Sequence, residues 1–359
     1  MPITHPADPH PADPHPAEPH PAKPELADVL DRAHVVSLPL AVKFRGVTTR
    51  EALLIEGPAG WGEFAPFVEY GPAEAVQWLR AGVEAAWEGF PAPQREHIEV
   101  NGTIPAVPAS QVPEVMARYP GCRTFKIKVA EPGQCLADDI ARVEAVRAEV
   151  AAAGRAPVLR VDANGGWNVD QAVEAARALM PLDYIEQPCA TVEELAQVRQ
   201  QLMRAGLFVR VAADESIRRV EDPYRVAQLR AADVAVLKPA PLGGVRRLLS
   251  LAQDLHAQHL DITVASALDT AVGIDMGLHA VAALPGYVDD EDIVVTPPAA
   301  GLATGSLFLE DVCPPRDIVE GHLPLTRTTP EPARLESLAA PGARKDWWFT
   351  RLQECWQLL

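Results

Sequence analysis

The sequence predicts an α/β protein, in which a parallel (β/α) barrel follows a small α+β capping domain that the C-terminal segment completes. From residue 98 onward, eight short apolar runs alternate with stretches of helical periodicity. Five polar residues end such runs: Lys128, Asp162, Glu186, Asp214 and Lys238. Successive members lie 34, 24, 28 and 24 residues apart, which fits one strand plus one helix, so we expect all five on one rim.

Residues 1–24 are predicted to form a disordered leader outside the fold. They repeat a five-residue unit that begins His-Pro-Ala-Asp-Pro, and its prolines remove backbone donors and stiffen the chain. The histidines of the repeat could hold a transition metal only weakly, because nothing in the repeat orients them. Such a composition cannot build a hydrophobic core.

Residues 25–98 are predicted to form the α+β capping domain. Residues 35–38 and 51–56 are typical of strands, and residues 74–87 have helical apolar spacing. The glycines, aromatic residues and proline of residues 60–70 favour a mobile loop able to fold over a bound ligand, although an ordinary surface turn would have a similar composition.

Residues 99–300 are predicted to form the barrel. The predicted strands are the runs 98–100, 125–129, 158–162, 184–186, 209–212, 234–237, 262–265 and 293–295. Helices are predicted between them, among others at 137–153, 169–179, 192–205 and 245–256. An open, doubly wound sheet is the alternative, but no Gly-x-Gly-x-x-Gly turn follows the first strand.

Residues 301–359 are predicted to pack back on the capping domain. This segment is proline-rich and has too few periodic elements to form a domain of its own. Aromatic residues at helical spacing near its end, including Trp347, Trp348 and Trp356, indicate packing.

The composition bounds the class of protein. A chain of 359 residues with 48% apolar residues can bury a full core. Its formal net charge of −17 argues against a nucleic-acid partner, which would require an excess of Lys and Arg. The apolar runs are too short for membrane insertion, and the five scattered cysteines without a signal peptide favour a reducing cytoplasm. The sequence does not indicate an oligomeric state.

Lys126 and Lys128 are candidates for acid–base chemistry. Because strand side chains alternate between faces, both point the same way, which in a barrel can be the interior. Two ammonium groups placed close together lower each other's pKa, and one of them then becomes a usable general base near neutral pH. A lone Lys-x-Lys would suit a solvated edge strand, but the acids on neighbouring runs favour the interior.

Asp162, Glu186 and Asp214 are the candidate metal ligands. Three carboxylates at the carboxyl ends of barrel strands suit Mg²⁺ or Mn²⁺, with water or substrate in the remaining positions. Each acid alone could be a helix cap or a turn residue. Since adjacent strand residues point to opposite faces, we prefer Asp214 to Glu215 as the ligand.

Lys238 ends another apolar run, on the far side of the ring from Lys128. Glu215 is predicted to support Lys238 or a neighbouring strand end, and Asn164 to orient the metal ligands. Lysines that face one metal-bound substrate can remove a proton next to a carboxylate, whose developing charge the metal stabilises. The predicted reaction class is α-proton abstraction, since a Schiff-base aldolase using Lys238 would leave the three carboxylates without a role.

The order of these residues resembles that of the enolase superfamily, in its muconate-lactonising subgroup, whose sites combine a basic residue with Mg²⁺. Three segments are similar to the actinobacterial o-succinylbenzoate synthase family: Gly60-Trp-Gly-Glu-Phe-Ala-Pro-Phe67-Val-Glu-Tyr70, Arg160-Val-Asp162-Ala-Asn164-Gly-Gly-Trp167, and Ala265-Ser266-Ala-Leu268-Asp269-Thr-Ala-Val-Gly273. The resemblance covers about residues 30–358. It implies a modified TIM barrel of the (β/α)7β type.

The resemblance also implies an activity and residue roles. The activity is the Mg²⁺-dependent dehydration of 2-succinyl-6-hydroxy-2,4-cyclohexadiene-1-carboxylate to 2-succinylbenzoate, through an enediolate, in menaquinone biosynthesis. Lys128 would remove the α-proton, and Lys126 would contact the carboxylate and tune Lys128. Lys238 would stabilise the intermediate from the other face, by a cation–π contact as the ring becomes aromatic. The three acids would hold the metal, and Ser266 would receive the succinyl arm.

Related activities remain open on the same scaffold. N-succinylamino-acid racemase, dipeptide epimerase and muconate cycloisomerase chemistry would use the same metal and both lysines. Dehydration from one face requires one base, whereas racemisation requires acid–base groups on both faces, and the similarity of residues 60–70 favours dehydration. A non-catalytic metal-binding or interaction protein would have no chemical reason to keep buried charges.

Overall fold

The computed structural model describes residues 24–44, 47–218, 222–288 and 294–359. All but the last residue of the predicted leader lie outside the described residues, so its disorder stays a prediction. Within the described ranges, none of the helices is both long enough and apolar enough to cross a membrane.

The N-terminal unit is an antiparallel sheet of three strands with a helix packed on it. Its elements are α1 (Leu26–Asp31), β1 (Ala33–Phe44), β2 (Val47–Gly57), β3 (Gly60–Phe64) and α2 (Pro72–Val83), which continues as a π-helix at Glu84–Glu88. The strands pair in the order β1-β2-β3. The predicted strands lie within β1 and β2, and the predicted helix corresponds to α2 with its π-helical continuation.

The mobile loop predicted at residues 60–70 is wrong for residues 60–64, which form β3. Phe64 is fully buried in this strand. Gly62 lies against α2, where an added Cβ would come within 2.0 Å of the Gly82 carbonyl oxygen. Burial of the aromatic side chain and this close backbone approach therefore fix residues that composition alone assigned to a loop.

A curled parallel sheet forms the second part of the fold. After β4 (His97–Glu99), its strands are β5 (Gly102–Ile104), β6 (Thr124–Lys128), β7 (Val158–Asp162), β8 (Tyr184–Glu186), β9 (Arg210–Ala213), β10 (Val234–Leu237) and β11 (Asp261–Val264). Each strand from β5 to β11 pairs in parallel with its neighbours in sequence. The predicted α/β barrel architecture is confirmed.

Helices connect these strands. They are α3 (Val112–Met116), α4 (Leu136–Ala152), α5 (Val169–Leu179), α6 (Val192–Arg204), α7 (Asp222–Gln228), α8 (Pro239–Leu242), α9 (Val245–His256) and α10 (Ala271–Ala283). The bounds of α5 and α9 match the predicted ranges. The side chains of Asn168 and Thr191 explain where α5 and α6 begin, because each accepts a hydrogen bond from a backbone amide in the first turn.

One of the eight predicted barrel strands is wrong, and another joins the ring only at its last residue, Val100. The described part of the run 293–295 forms β13 (Val294–Val295), which pairs antiparallel with β12 (Tyr287–Val288); residue 293 lies outside the described residues. Most of the run 98–100 belongs to β4, which pairs antiparallel with β14 (His322–Pro324). An apolar run predicts a strand, but it does not tell which sheet the strand joins.

Ala300 and Gly301 take the remaining position of the ring. Parallel bridges join Ala300 to Val100 and Gly301 to Ala265, and so connect the two edges of the parallel sheet. Two consecutive prolines separate these residues from β13. Because proline lacks a backbone N–H, a ladder cannot run continuously from β13 into the ring.

The C-terminal segment returns to the N-terminal unit. It contains β14, α11 (Pro332–Ser337) and α12 (Gly342–Trp356). The Ser37 amide donates to the Leu338 carbonyl at 2.8 Å, and the Ala340 amide donates to the Val35 carbonyl at 2.9 Å, so the segment lies on β1. The domain boundaries stay predictions: 25–98, 99–300 and 301–359.

Candidate active site

The ends of strands β6 to β10 carry the five residues predicted for one rim. Lys128 and Asp162 end β6 and β7 and are register partners, and Asp162 is in turn the partner of Glu186 at the end of β8. Asp214 follows β9, and Lys238 follows β10. Partners on neighbouring parallel strands face the same side, so the sheet brings these residues to one end of the barrel.

Lys126 and Lys128 both form ion pairs on this rim. Lys128 Nζ lies 2.6 Å from Asp162 Oδ2. Lys126 Nζ lies 2.9 Å from Glu186 Oε1 and 3.3 Å from Asp162 Oδ2. The two lysines therefore point to the same side, as strand alternation predicts, and the carboxylate of Asp162 lies within reach of both.

Lys238 reaches the rim from the opposite end of the strand series. Its ammonium group donates a hydrogen bond to Asp214. The strand order β6-β7-β8-β9-β10 places the three carboxylates between Lys128 and Lys238. This arrangement offers amine groups to two sides of a molecule bound at the carboxylates.

The expected mutual lowering of the lysine pKa values is wrong for Lys126. Burial opposes its charged form, but the carboxylates of Glu186 and Asp162 outweigh burial and hold the pKa of Lys126 well above its ordinary value. The prediction failed because it counted the second lysine and not the two carboxylates within 3.3 Å.

The environment of Glu186 favours an additional cation. Its side chain is fully buried, and its Oε2 atom has no hydrogen-bond partner among the described residues. Burial raises the pKa of Glu186 to about 7, Asp162 and Asp214 add to the rise, and Lys126 opposes it. A divalent cation beside Oε2 would give this oxygen a partner, and carboxylate oxygens are the donors that Mg²⁺ prefers.

Asp162 and Asp214, the other candidate ligands, are also buried, with exposed fractions of 0% and 4%. Burial disfavours the ionised form of Asp162, but Lys128 and Lys126 outweigh burial and hold its pKa below the ordinary value. As the side chains stand in the described ranges, no three His, Cys, Asp or Glu residues are grouped so that they could hold a metal ion. The chemistry of the donor set fits Mg²⁺, while joint coordination by the three acids stays a prediction.

Asn164 connects Lys128 to Glu215. Its Oδ1 accepts a hydrogen bond from Lys128 Nζ at 2.7 Å, and its Nδ2 donates to Glu215 Oε1 at 3.3 Å. Its backbone amide donates to Asp162 Oδ1 at 3.0 Å. Asn164 thus contacts a candidate base and a candidate ligand together. Glu215 was predicted to support Lys238 or a strand end, and these contacts place it on the Lys128 side of the site.

The cavity above the rim has walls from both parts of the fold. Phe67, Tyr70 and Trp78 line it from the N-terminal unit, and Ser266 and Leu268 line it from the segment between β11 and α10. The Ser266 hydroxyl hydrogen-bonds the Thr304 hydroxyl at 3.0 Å. Ser266 therefore lies in the cavity wall, where contact with a bound molecule is sterically open.

The sequence analysis missed Arg218 as a cavity residue. Arg218 lines the cavity, hydrogen-bonds Glu215, and lies 3.6 Å from Asp214 Oδ2. The i,i+4 spacing from Asp214 was a usable signal for this contact. It also missed Arg50 and Glu63, which lie far in sequence from the barrel residues that they contact.

Two family descriptions match this chain. Residues 35–86 match the family described as enolase N-terminal domain-like, and residues 109–330 match the family described as enolase C-terminal domain-like. Together they cover most of the N-terminal unit and strands β6 to β11 of the parallel sheet.

Curated relatives are similar along almost their whole length. The chain is 55% identical to a protein named o-succinylbenzoate synthase from Mycolicibacterium smegmatis, over 93% of this chain and 98% of the relative. It is 53% identical to a protein of the same name from Mycobacterium marinum, over 93% of this chain and 96% of the relative.

Solved structures of lower identity share the fold. Muconate lactonizing enzyme from Pseudomonas fluorescens, complexed with muconolactone, superimposes with a TM-score of 0.69 at 20% identity, covering 86% of this chain and 98% of that one. Given the fold, the family matches and relatives above 50% identity, the chain belongs to the o-succinylbenzoate synthase family of the enolase superfamily.

Proposed function

We propose that this chain is a hydro-lyase that dehydrates 2-succinyl-6-hydroxy-2,4-cyclohexadiene-1-carboxylate to 2-succinylbenzoate, a step of menaquinone biosynthesis. Relatives that carry the name of this synthase support the proposal. The observation that carries it is the placement of three buried carboxylates between the lysines of β6 and the lysine after β10. Removing a proton next to a carboxylate requires a base and a means of stabilising negative charge, and this rim offers both.

Asp162, Glu186 and Asp214 are proposed to hold Mg²⁺, a position that Mn²⁺ would also fit. When bound, the divalent cation supplies positive charge that stabilises the substrate carboxylate as negative charge develops on it. The unpaired Oε2 of Glu186 supports this assignment. Lys128 and Lys238 must then leave their present carboxylate partners to face the substrate.

Lys128 is proposed to be the general base. Its uncharged amine takes the proton from the ring carbon that bears the carboxylate, and the electron pair left behind delocalises into that carboxylate as an enediolate. The C–O bond to the ring hydroxyl then breaks, and protonated Lys128 returns the proton to the departing group, which leaves as water. The ring becomes aromatic, and one base on one face serves both halves of the reaction.

Lys126 and Lys238 are proposed to stabilise charge. Lys126 is largely buried, with 14% of its side chain exposed, and its Nζ lies 2.9 Å from Glu186 Oε1, so it is placed to contact a substrate carboxylate bound at the rim. Lys238, from the opposite side, would face the ring and stabilise the intermediate by a cation–π contact as the ring becomes aromatic.

Three polar residues are proposed to position the reacting groups. Asn164 would orient Lys128, to which it is already hydrogen-bonded, and Glu215 would hold Asn164. Ser266 would receive the succinyl arm of the substrate from the wall formed between β11 and α10.

The test compares two substrates. The purified protein is given Mg²⁺ and the cyclohexadiene substrate, and in parallel N-succinyl amino acids, and kcat/KM is measured for both. We expect kcat/KM for dehydration to exceed kcat/KM for racemisation. Activity should be lost when a chelator removes the metal. A higher kcat/KM for racemisation would reject the proposal.

N-succinylamino-acid racemisation is the second candidate function. The position of Lys238 opposite Lys128 favours it, because exchange of a proton between two faces requires an acid–base group on each. Dehydration uses only one of the two lysines as a base. Replacement of Lys238 by Met should therefore abolish racemisation more completely than dehydration.

A further inference from the structure

Arg50 of β2 is a buried arginine that joins two distant segments. Its Nε donates to the Leu268 carbonyl at 3.0 Å, and its Nη2 donates to the Ala65 carbonyl. Its guanidinium lies over the Phe67 ring, 4.4 Å from the ring centroid. Only 4% of Arg50 is exposed, and these contacts hold its guanidinium between the two segments.

The two segments that Arg50 joins form neighbouring parts of the cavity wall. Phe67 and Leu268 both line the cavity, whereas Arg50 does not. Phe67 comes from the chain between β3 and α2, and Leu268 comes from the chain between β11 and α10. The two segments are therefore joined by a residue that does not itself line the cavity.

Leu268 requires support from outside its own segment. Its φ is +62°, in the left-handed region that is unfavourable for a residue with a Cβ. Arg50 holds the carbonyl of this residue. On the other side, Asp269 Oδ2 accepts a hydrogen bond from the Ala267 amide at 3.0 Å. Loss of the Arg50 contact would remove one of the interactions that keep this wall in its strained conformation.

Neighbouring contacts anchor the ends of both walls independently of Arg50. Glu63 of β3 accepts hydrogen bonds from the Thr270 amide at 3.0 Å and the Gly273 amide at 3.1 Å, which fixes the start of α10. Arg351 of α12 donates to the carbonyls of Phe67 and Tyr70 at 2.9 and 2.7 Å. Removal of Arg50 should therefore loosen the walls locally without detaching either segment.

We propose that Arg50 is a positioning residue that fixes the Phe67 wall against the Leu268 wall, and thereby selects which substrate side arms the site accepts. The inference rests on the proposed function for the identity of the substrate. Pocket shape of this kind separates substrates that share a reacting carboxylate but differ in the rest of the molecule, because the chemistry at the rim is common to them.

The variant Arg50→Met keeps much of the side-chain volume and removes the hydrogen bonds. Arg327→Met is the matched control. Arg327 also lies over a phenylalanine, 4.3 Å from the Phe90 centroid, and donates to backbone carbonyls such as Ala85 at 3.0 Å. Neither Arg327 nor these contacts line the cavity. Both variants should lose thermal stability.

The kinetic result separates the two variants. For Arg50→Met we expect KM for the cyclohexadiene substrate to rise about tenfold or more with a smaller change in kcat. The ratio of kcat/KM between dehydration and N-succinyl-amino-acid racemisation should also change by about tenfold. Arg327→Met should keep the wild-type KM and ratio. Arg50→Lys keeps the charge but lacks the planar guanidinium that donates to two carbonyls at once. Its KM should therefore lie between those of the wild type and Arg50→Met.

Amide hydrogen exchange supplies a readout that does not depend on activity. Peptides covering residues 264–273 should exchange faster in Arg50→Met than in the wild type and Arg327→Met. If Arg50→Met does not fold, Arg50→Lys carries both measurements with smaller expected changes. The inference would be overturned if the Arg50 variants kept the wild-type KM, the wild-type ratio of kcat/KM between the two reactions, and the wild-type rate of amide hydrogen exchange. A wild-type protein that fails to dehydrate the substrate would instead reject the proposed function, and the exchange result would still test the positioning role.

Discussion

Lys128 and Asp162 are register partners on β6 and β7, and their side chains meet at 2.6 Å. The pairing of β6 with β7 thus places the candidate base next to a candidate metal ligand. A metal ion bound at Asp162 Oδ2 would compete with Lys128 for the charge of this carboxylate. Whether the Lys128 amine is free to act as a base therefore depends on whether Asp162 binds the lysine or a metal ion.

Replacement of Lys128 by Arg tests the base. Arginine can keep the ion pair with Asp162, but it stays protonated and cannot accept the substrate proton. We expect kcat to fall by roughly 10²–10⁴-fold, the range that a general base contributes, while calorimetry shows Mg²⁺ affinity close to that of the wild type. Lys128→Ala should behave alike in turnover. Dehydration at the wild-type rate in either variant would reject Lys128 as the base.

Replacement of Asp214 by Asn tests the choice between adjacent acids. Removing a ligand charge should weaken Mg²⁺ binding by at least about 10- to 100-fold, since even residues that only orient ligands commonly have effects of that size. Glu215→Gln is the comparison, because Glu215 is the adjacent acid and accepts a hydrogen bond from Asn164. Titration calorimetry measures the Mg²⁺ affinity of both variants. A larger loss for Glu215→Gln would mean that Glu215 is the ligand.

The rim was predictable from sequence because each of its residues directly follows or ends an apolar run. The five positions needed only strand spacing and the rule that parallel strands end at one edge. Helices α5 and α9 were predictable for a similar local reason, since their apolar faces repeat with helical period and their ends are marked by nearby polar or glycine residues.

The closure of the ring and the cavity walls were not predictable from sequence. Ala300 and Gly301 join the ring through single bridges, which leave no periodic pattern. The hydrogen bond from Arg50 to Leu268 joins residues that are 218 positions apart, so no local sequence pattern predicts it. The pKa of Lys126 depended on the distances to two carboxylates, which a sequence pattern does not contain.

Replacement of Gly273 by Ala should weaken the contact between β3 and α10. An added Cβ would lie 2.7 Å from the Glu63 carboxyl group, which the Thr270 and Gly273 amides hold in place, and 2.7 Å from the Asp269 Cβ. We expect a loss of about 1–3 kcal/mol in the free energy of unfolding, measured by urea denaturation. Gly342→Ala is the control, because nothing lies within 4 Å of its added Cβ. Equal effects in both variants would contradict the proposed close packing.

Asp275 and Asp183 should give opposite pH dependences of stability. Burial raises the pKa of Asp275 to about 6, although Arg316 and Thr328 oppose the rise. A raised pKa in the folded state stabilises the protein at low pH, and this contribution is lost as pH rises from about 4 through about 6. Relative to Asp275→Asn, the wild type should lose about 2–3 kcal/mol over this interval, since one pKa unit corresponds to about 1.4 kcal/mol.

Asp183 has the opposite sign because Arg160 and Arg210 outweigh its burial and hold its pKa below the ordinary value. Its contribution to stability is present above about pH 4 and is lost as pH falls through the lowered pKa. Relative to Asp183→Asn, the wild type should therefore gain stability as pH rises. Urea unfolding of the wild type and both variants between about pH 3 and 7 measures the two slopes, that of Asp183 at the low end of this range and that of Asp275 in its middle. Slopes of the same sign would show that burial, and not the two arginines, dominates the carboxyl group of Asp183.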